Sequence, residues 1–211
     1  MDFTSRMAAL LSELRRERNG AAADAMRFYG KAYGLNMGVA IHTIRAVIAD
    51  LPRDHQFAEY LYLQDIRELR IAALWMAEPD KIKPESFGFW ADGIINSEVA
   101  EQAAMALLCK IDCLDDLIVQ WSSSDGVLPI YSALLSLSRK AKCNVEKMLP
   151  LIFHILGKYS DNRLIAQGIV AAMTSLYEQS PAATKALIEK IKQEHSATAS
   201  YITDELSWRI I

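Results

Sequence analysis

Two glutamates, Glu98 and Glu101, have the type and spacing that best fit chemistry in this sequence. Side chains three positions apart share one face of a helix, so the pair could act as two working carboxylates. Both residues also follow Asn96-Ser97, a helix-start signal. Acidic side chains in a first helical turn complement the helix dipole without doing chemistry, and the sequence leaves both interpretations open.

A group of basic residues offers a second function, contact with the phosphate groups of a nucleic acid. Arg139, Lys140 and Lys142 lie near the end of one predicted helix, and Lys158 and Arg163 flank the next junction. In helical-repeat folds successive junctions stack along one edge, so these side chains could form a stripe that binds DNA phosphates. The alternative is that they complement helix dipoles and keep the surface hydrated.

The other chemistry-bearing side chains form no recognisable site. The histidines have no partner at four-residue spacing and no triad, so we predict that they lie at the surface or at interfaces: His42, His55, His154 and His195. Cys109 and Cys113 share a helix face, but no histidine or third cysteine is close enough in sequence to complete a metal site. No phosphate-binding glycine loop occurs. We therefore expect no metal and no small-molecule cofactor.

The composition favours a helical, globular protein. Of 211 residues 52% are apolar and 23% charged, and 9 glycines with 6 prolines are fewer than a fold with many tight turns needs. The net charge of −3 does not demand a nucleic-acid partner, so any anion site must be local. The longest uncharged stretch, 164–177, is shorter than the roughly 20 residues of a membrane helix, and the N-terminus lacks a signal-peptide pattern. We predict a cytoplasmic protein without a membrane partner.

Apolar residues recur at three- and four-residue spacing along nearly the whole chain, which predicts about a dozen amphipathic helices with short links. Helix starts are indicated by Asp54, Asn96, Asn144 and Ser180-Pro181. No linker is long or polar enough to separate domains, so we predict a single domain over 1–211. Short helices in this number favour stacked pairs over one bundle, with function on a concave surface.

Glycines and tryptophans are predicted to have structural roles. Gly34 and Gly38 indicate that a helix ends near 33–34 and that a turn follows through 36–38, because glycine adopts backbone angles that other residues resist. Large aromatic side chains usually pack at helix interfaces, and we predict this for all four tryptophans: Trp75, Trp90, Trp121 and Trp208.

Three stretches share the residue order of one known family. Met26–Lys31 is similar to an early Met-Ala-x-Tyr-Met-Lys helix. Gly38–Arg45 is similar to a Gly-Val/Ile-x-x-Pro-x-Leu/Arg-Arg segment, with His42 in place of the usual proline, and Phe57–Leu74 looks like a helix pair that carries Arg/His-Glu-x-Arg-x-x-Ala. The chain thereby resembles the DNA alkylation repair glycosylases, an all-helical family built from HEAT-like repeats.

This resemblance implies an all-α fold, an α-α superhelix of HEAT-like antiparallel helix pairs with a concave face. It covers about 21–181, and we expect the C-terminal helices of 182–211 to cap the stack. It also implies a reaction, the cleavage of the N-glycosidic bond of a positively charged 3-methyl- or 7-methylpurine in duplex DNA. There a carboxylate would stabilise the oxocarbenium-like charge, tryptophan faces would attract the cation, and an arginine would hold the backbone.

The residues that would carry this reaction are mostly replaced. The family's Trp-Asp-x-x-Asp motif lines up with Ser97 to Glu101, which leaves Glu101 as the candidate catalytic residue, with Glu98 beside it. The second catalytic tryptophan falls at or beside Ala171, and Tyr131, a candidate DNA contact, stands where the family has its backbone-binding arginine. We hypothesise weak binding of duplex DNA on the concave face, with glycosylase activity lost or much reduced. The alternative is a non-enzymatic scaffold that binds a protein or peptide.

Overall fold

The computed structural model describes residues 2–31 and 33–210, and this part of the chain is predominantly helical. It contains thirteen α-helices and three short 3-10 helices, and its only β-type pairing is a single bridge between Leu35 and Ile66. The predicted all-helical class is therefore confirmed. The chain divides into two compact units, Met1–Leu107 and Leu108–Ile211, so the single domain over 1–211 and the capping role of 182–211 stay predictions.

Seven α-helices form the first unit. They are α1 (Phe3–Arg16), α2 (Gly20–Phe28), α3 (Ile41–Ile48), α4 (His55–Tyr62), α5 (Arg67–Met76), α6 (Phe87–Asp92) and α7 (Ser97–Ala106), with 3-10 turns at Pro79–Lys81 and Pro84–Ser86. Helices α3, α5 and α7 pack side by side, while α4 packs on α5 and α1 on α3. Helix α5 is central to this arrangement, and nine of its ten residues are buried.

Six α-helices form the second unit. They are α8 (Leu114–Ser122), α9 (Val127–Leu137), α10 (Val145–Lys158), α11 (Arg163–Gln179), α12 (Pro181–Ile191) and α13 (Ala197–Arg209), after a 3-10 turn at Leu108–Lys110. Consecutive helices pair as α8 with α9, α10 with α11 and α12 with α13. One layer joins α9, α11 and α13, and a second joins α8, α10 and α12. Paired helices in two layers are the pattern expected of helical repeats.

Helix starts follow the local signals of the sequence. The side chains of Asp54, Asn96 and Asn144 each accept a hydrogen bond from the backbone N–H three residues later, as an N-cap does. Pro181 occupies the first position of α12, where its missing N–H costs nothing. These predicted boundaries are confirmed.

The loop between α2 and α3 begins earlier than predicted. Helix α2 ends at Phe28, because Gly30 takes a left-handed φ of 76°, so the predicted helix end near 33–34 is wrong. The backbone angle predicted for glycine at position 38 is confirmed, since Gly38 has a φ of 69°. A Cβ atom at Gly38 would lie 2.0 Å from the Asn19 carbonyl oxygen. Both the backbone angle and the close approach therefore require glycine there.

The tryptophans do not all pack as predicted. Trp90 and Trp121 are buried, 1% and 3% exposed, as expected of core residues. Trp208 is 61% exposed, so its predicted packing is wrong. It lies in the last turn of α13, whose buried side chains include Ile202 and Leu206, and its ring instead meets the guanidinium of Arg209 at 4.5 Å.

We expect Gly38→Ala to lower the free energy of unfolding by about 2 kcal/mol or more, because alanine resists positive φ and its Cβ meets the Asn19 carbonyl. Urea denaturation followed by circular dichroism measures the change. Gly157→Ala in α10 is the matched control, since no atom lies within 4 Å of the added Cβ. That control should be neutral or stabilising by up to about 1 kcal/mol. Equal losses in the two variants would contradict the conformational role of Gly38.

Candidate functional site

A buried arginine joins three segments of the first unit. Arg67, 1% exposed, is the first residue of α5. Its Nε and Nη2 atoms donate to the two carboxylate oxygens of Glu98, at 3.0 and 2.6 Å. Its Nη1 atom donates to the Val39 carbonyl oxygen at 2.7 Å and to a Glu68 carboxylate oxygen at 3.0 Å. Two-pronged pairing of this kind compensates a guanidinium for the loss of water.

The loop between α2 and α3 is tied to the same network through Glu68. This side chain is fully buried, and its carboxylate accepts hydrogen bonds from the backbone N–H groups of Met37 and Val39, both at 3.2 Å. The Arg67 N–H also donates to the Leu35 carbonyl oxygen at 2.9 Å. The backbone of this loop is therefore held against the start of α5.

Glu98 has a further donor from the loop. The Tyr33 hydroxyl donates to a Glu98 carboxylate oxygen at 2.6 Å, and the Lys31 ammonium donates to the Ser97 hydroxyl. Burial by itself would raise the pKa of Glu98, but the hydrogen bonds from Arg67 and Tyr33 outweigh it and hold that pKa below its usual range. Burial and the neighbouring Glu98 carboxylate raise the pKa of Tyr33. Glu98 is thus stabilised in its charged form.

The two glutamates of the sequence motif, Glu98 and Glu101, lie in different environments. Glu98 is engaged by Arg67 through both carboxylate oxygens, which is a structural ion pair. Glu101 lies about one turn further along α7 and is exposed to solvent. Of the two carboxylates, Glu101 is the more exposed to solvent.

Several of the predicted DNA-binding cations are already engaged within the second unit. The Lys140 ammonium donates to the Ile111 carbonyl oxygen at 2.8 Å. The Lys158 ammonium is 3.0 Å from an Asp125 carboxylate oxygen. The Arg163 guanidinium lies 5.7 Å from the centre of the Tyr201 ring. The other two predicted residues, Arg139 and Lys142, are exposed and lie in the segment between α9 and α10.

The resemblance places Tyr131 at the position of the family's arginine and the second catalytic tryptophan at or beside Ala171. Tyr131 is 6% exposed on α9, and a Cβ at Gly168 of α11 would come within 3.2 Å of its ring. Its ring therefore packs between two helices and offers little surface to a phosphate. Ala171 is half-buried on α11.

A row of side chains across α3, α5 and α7 was missed by the sequence reasoning. The Arg45 guanidinium lies 4.2 Å above the centre of the Trp75 ring, and the Trp75 Nε1 donates to a Gln102 side-chain oxygen at 3.2 Å. Trp75 is half-buried rather than a core residue. One signal was available, because Arg45 has no acidic residue three or four positions away that could pair with it on its own helix.

Metal and membrane sites are not found in the described residues. No group of three or more histidine, cysteine, aspartate or glutamate side chains in 2–31 and 33–210 could hold a metal ion. In the same part of the chain no helix has the length and apolar character needed to cross a membrane.

The second unit stacks helix pairs in two layers, and the first unit carries the retained Arg-Glu-x-Arg motif on its central helix; together these features define a HEAT-like helical-repeat protein. A family model described as "DNA alkylation repair enzyme" matches residues 10–201, and the chain belongs to that family. The match begins earlier and ends later than the resemblance predicted over 21–181.

A solved structure supports the fold over the whole chain. It is described as "a new family of proteins related to the HEAT-like repeat DNA glycosylases with affinity for branched DNA structures". The two share 15% identity with a TM-score of 0.74, over 100% of this chain and 96% of that one. This likeness shows a HEAT-like fold. No curated protein matches the sequence significantly.

We expect Glu98→Gln to lower the free energy of unfolding at pH 7 by about 3 kcal/mol, because it leaves the buried Arg67 guanidinium without its charged partner. A carboxyl group whose pKa is lower in the folded state stabilises the fold above its unfolded pKa, near 4.3, and loses that contribution as pH falls through the folded value. The difference between wild type and variant should therefore shrink below pH 4.

Urea denaturation at pH 7, 5 and 3.5 measures this effect. Glu101→Gln is the control on the same helix, and as an exposed substitution it should change stability by less than about 0.5 kcal/mol. If the free energy of unfolding of Glu98→Gln stays below that of wild type by a constant amount down to pH 3.5, the charge of Glu98 is not what stabilises the fold.

Proposed function

We propose that this protein binds DNA, including branched DNA, mainly through phosphate contacts on a concave face, and that its N-glycosylase activity is lost or much reduced. Family membership supports a DNA ligand. The fold similarity to a protein described as having affinity for branched DNA supports the branched form. The proposal concerns this chain and extends that neighbour's described property to it.

One observation carries the proposal: the motif that holds the fold is retained, whereas the residues for the reaction are not. Arg67 and Glu68 form the buried network, and Arg70 donates to the Gly93 carbonyl oxygen at 2.9 Å. The positions of the two catalytic tryptophans hold Ser97 and Ala171. Selection on the fold without the reaction fits a binding protein.

The missing groups are the ones that the reaction needs. A departing methylated purine leaves positive charge on the sugar, and the family places aromatic faces and a carboxylate around it. The Ser97 hydroxyl accepts a hydrogen bond from the Lys31 ammonium, and Glu98 forms an ion pair with Arg67. Glu101 remains as one exposed carboxylate, which supports at most slow hydrolysis of an unstable cationic nucleotide.

We expect binding to depend mainly on phosphate contacts. Recognition of a sequence requires side chains that reach the base edges in a groove, whereas phosphate contacts need only exposed cations. Branched DNA differs from linear duplex in the arrangement of its strands and not in its phosphate chemistry, so a protein with several phosphate contacts can prefer it by geometry. We therefore expect little sequence preference and a strong dependence on salt.

The glycosylase part of the proposal is tested by release of 3-methyladenine and 7-methylguanine from methylated duplex DNA. We expect release to stay at the protein-free rate or far below that of an active family member, because the aromatic positions are replaced. Glu101→Gln should then leave the result unchanged. Robust release that Glu101→Gln abolishes would make Glu101 a catalytic carboxylate and end this part of the proposal.

The binding part is tested by fluorescence anisotropy with a four-way junction and a linear duplex of the same arms, at several salt concentrations. We expect tighter binding to the junction. Each neutralised phosphate contributes about −0.9 to the slope of log affinity against log salt, so Lys140→Ala with Lys142→Ala should flatten it by up to about two units.

Arg15→Ala with Arg16→Ala is the control, because a Glu13 carboxylate oxygen 2.7 Å away offsets the charge of Arg16, whereas Lys140 donates to a neutral carbonyl oxygen. Equal losses in the two double variants would remove the basic stripe from the proposal. If the wild type binds neither DNA at low salt, the DNA function is wrong and a protein or peptide partner becomes the leading hypothesis.

A further inference from the structure

A small cleft in the first unit combines two cations with an aromatic ring. It has a volume of about 180 Å³ and lies where the end of α3, the segment after it and the end of α5 meet. Arg45, Arg53 and Trp75 line it, and Ile48 and Met76 add apolar surface. This mixture of positive charge and flat apolar surface is what a nucleotide unit requires.

The aromatic ring of the cleft is held in a fixed position. Trp75 donates its indole N–H to Gln102, which is 5% exposed and therefore itself buried. The Arg45 guanidinium lies over the Trp75 ring at 4.2 Å, a cation–π distance. Because ring and guanidinium are already ordered, a ligand would meet them without a large loss of side-chain entropy.

The two arginines of the cleft are available for an anion. Several arginines of the first unit pair with carboxylates, as Arg6 does with Asp54 and Arg27 with Asp24. Neither Arg45 nor Arg53 forms an ion pair with any carboxylate of 2–31 and 33–210. Both residues are exposed. A guanidinium presents two parallel N–H donors that match a phosphate group.

We propose that the cleft of Arg45, Arg53 and Trp75 binds one nucleotide unit of a DNA strand that leaves the duplex at a branch. The two guanidiniums hold the phosphodiester, and the sugar or the exposed face of a base at the branch point packs against the indole and its apolar wall. This inference rests on the proposed DNA-binding function and gives it a particular subsite. The cleft, of about 180 Å³, is open to solvent and would enclose part of such a unit, the phosphate and one face of the group beside it.

The experiment compares the affinities of wild type and variants for a four-way junction, a single strand and a linear duplex. We expect Arg45→Gln with Arg53→Gln to weaken junction binding about tenfold or more and to flatten its salt slope by about two units. Arg45→Lys with Arg53→Lys keeps both charges but loses the two-pronged geometry, and should restore the slope with incomplete affinity. Arg15→Ala with Arg16→Ala is again the control of equal charge.

The fluorescence of Trp75 provides a second measurement, which a general loss of positive charge would not change. In a Trp208→Phe background the remaining tryptophans other than Trp75 are buried, so we expect the junction to quench a component of the emission that Trp75→Phe removes. Trp75→Phe should also weaken binding to the junction and the single strand more than binding to the linear duplex. Circular dichroism and thermal unfolding of each variant establish that it is folded.

The outcomes separate this inference from the function on which it rests. If wild type binds the junction and the Arg45 and Arg53 variants match the Arg15 and Arg16 control, the cleft is not the subsite although the protein binds DNA. An unchanged Trp75 emission with bound junction would overturn the inference in the same way. If wild type binds no DNA at low salt, the proposed function fails and the subsite fails with it.

Discussion

A guanidinium almost without access to water is the constraint on which the first unit depends. Removing Arg67 from water costs several kcal/mol, and the cost is offset only where carboxylates and carbonyl oxygens surround it in suitable geometry. Glu68 provides one carboxylate from the same helix, and Glu98 provides the other from α7. Glu68 also binds the backbone of the preceding loop. The loop, α5 and α7 therefore have to be placed together.

This constraint explains why the Arg-Glu-x-Arg motif can be retained for the fold alone, whatever the activity of the protein. An Arg-Glu-x-Arg sequence consists of residue types that are common in catalytic sites. Here Arg67, Glu68 and Arg70 instead form hydrogen bonds within the protein. A resemblance that rests on such residues predicts the fold strongly. It predicts the activity only as far as the separate reaction residues are present, and at Ser97 and Ala171 they are not.

Local features of the fold were predictable from the sequence, and long-range pairing was not. The caps at Asp54, Asn96 and Asn144 involve partners three residues away, so local sequence patterns identify them. The Arg67 and Glu98 pair joins residues 31 positions apart, and the first-turn position of Glu98 fits the helix dipole equally well. A count of basic residues likewise cannot reveal that Lys158 already has Asp125 as a neighbour.

The hydrogen-bond network around Arg67 also opposes single substitutions that would bring the sequence closer to the family's motif. Restoring the family's Trp-Asp-x-x-Asp motif requires a tryptophan at Ser97, where Lys31 now binds the hydroxyl, and an aspartate at Glu98. The shorter aspartate withdraws its oxygens from a guanidinium that has no water to replace them. Either substitution toward the family motif is therefore expected to lower the free energy of unfolding, so the stability of the protein by itself favours Ser97 and Glu98 at these positions.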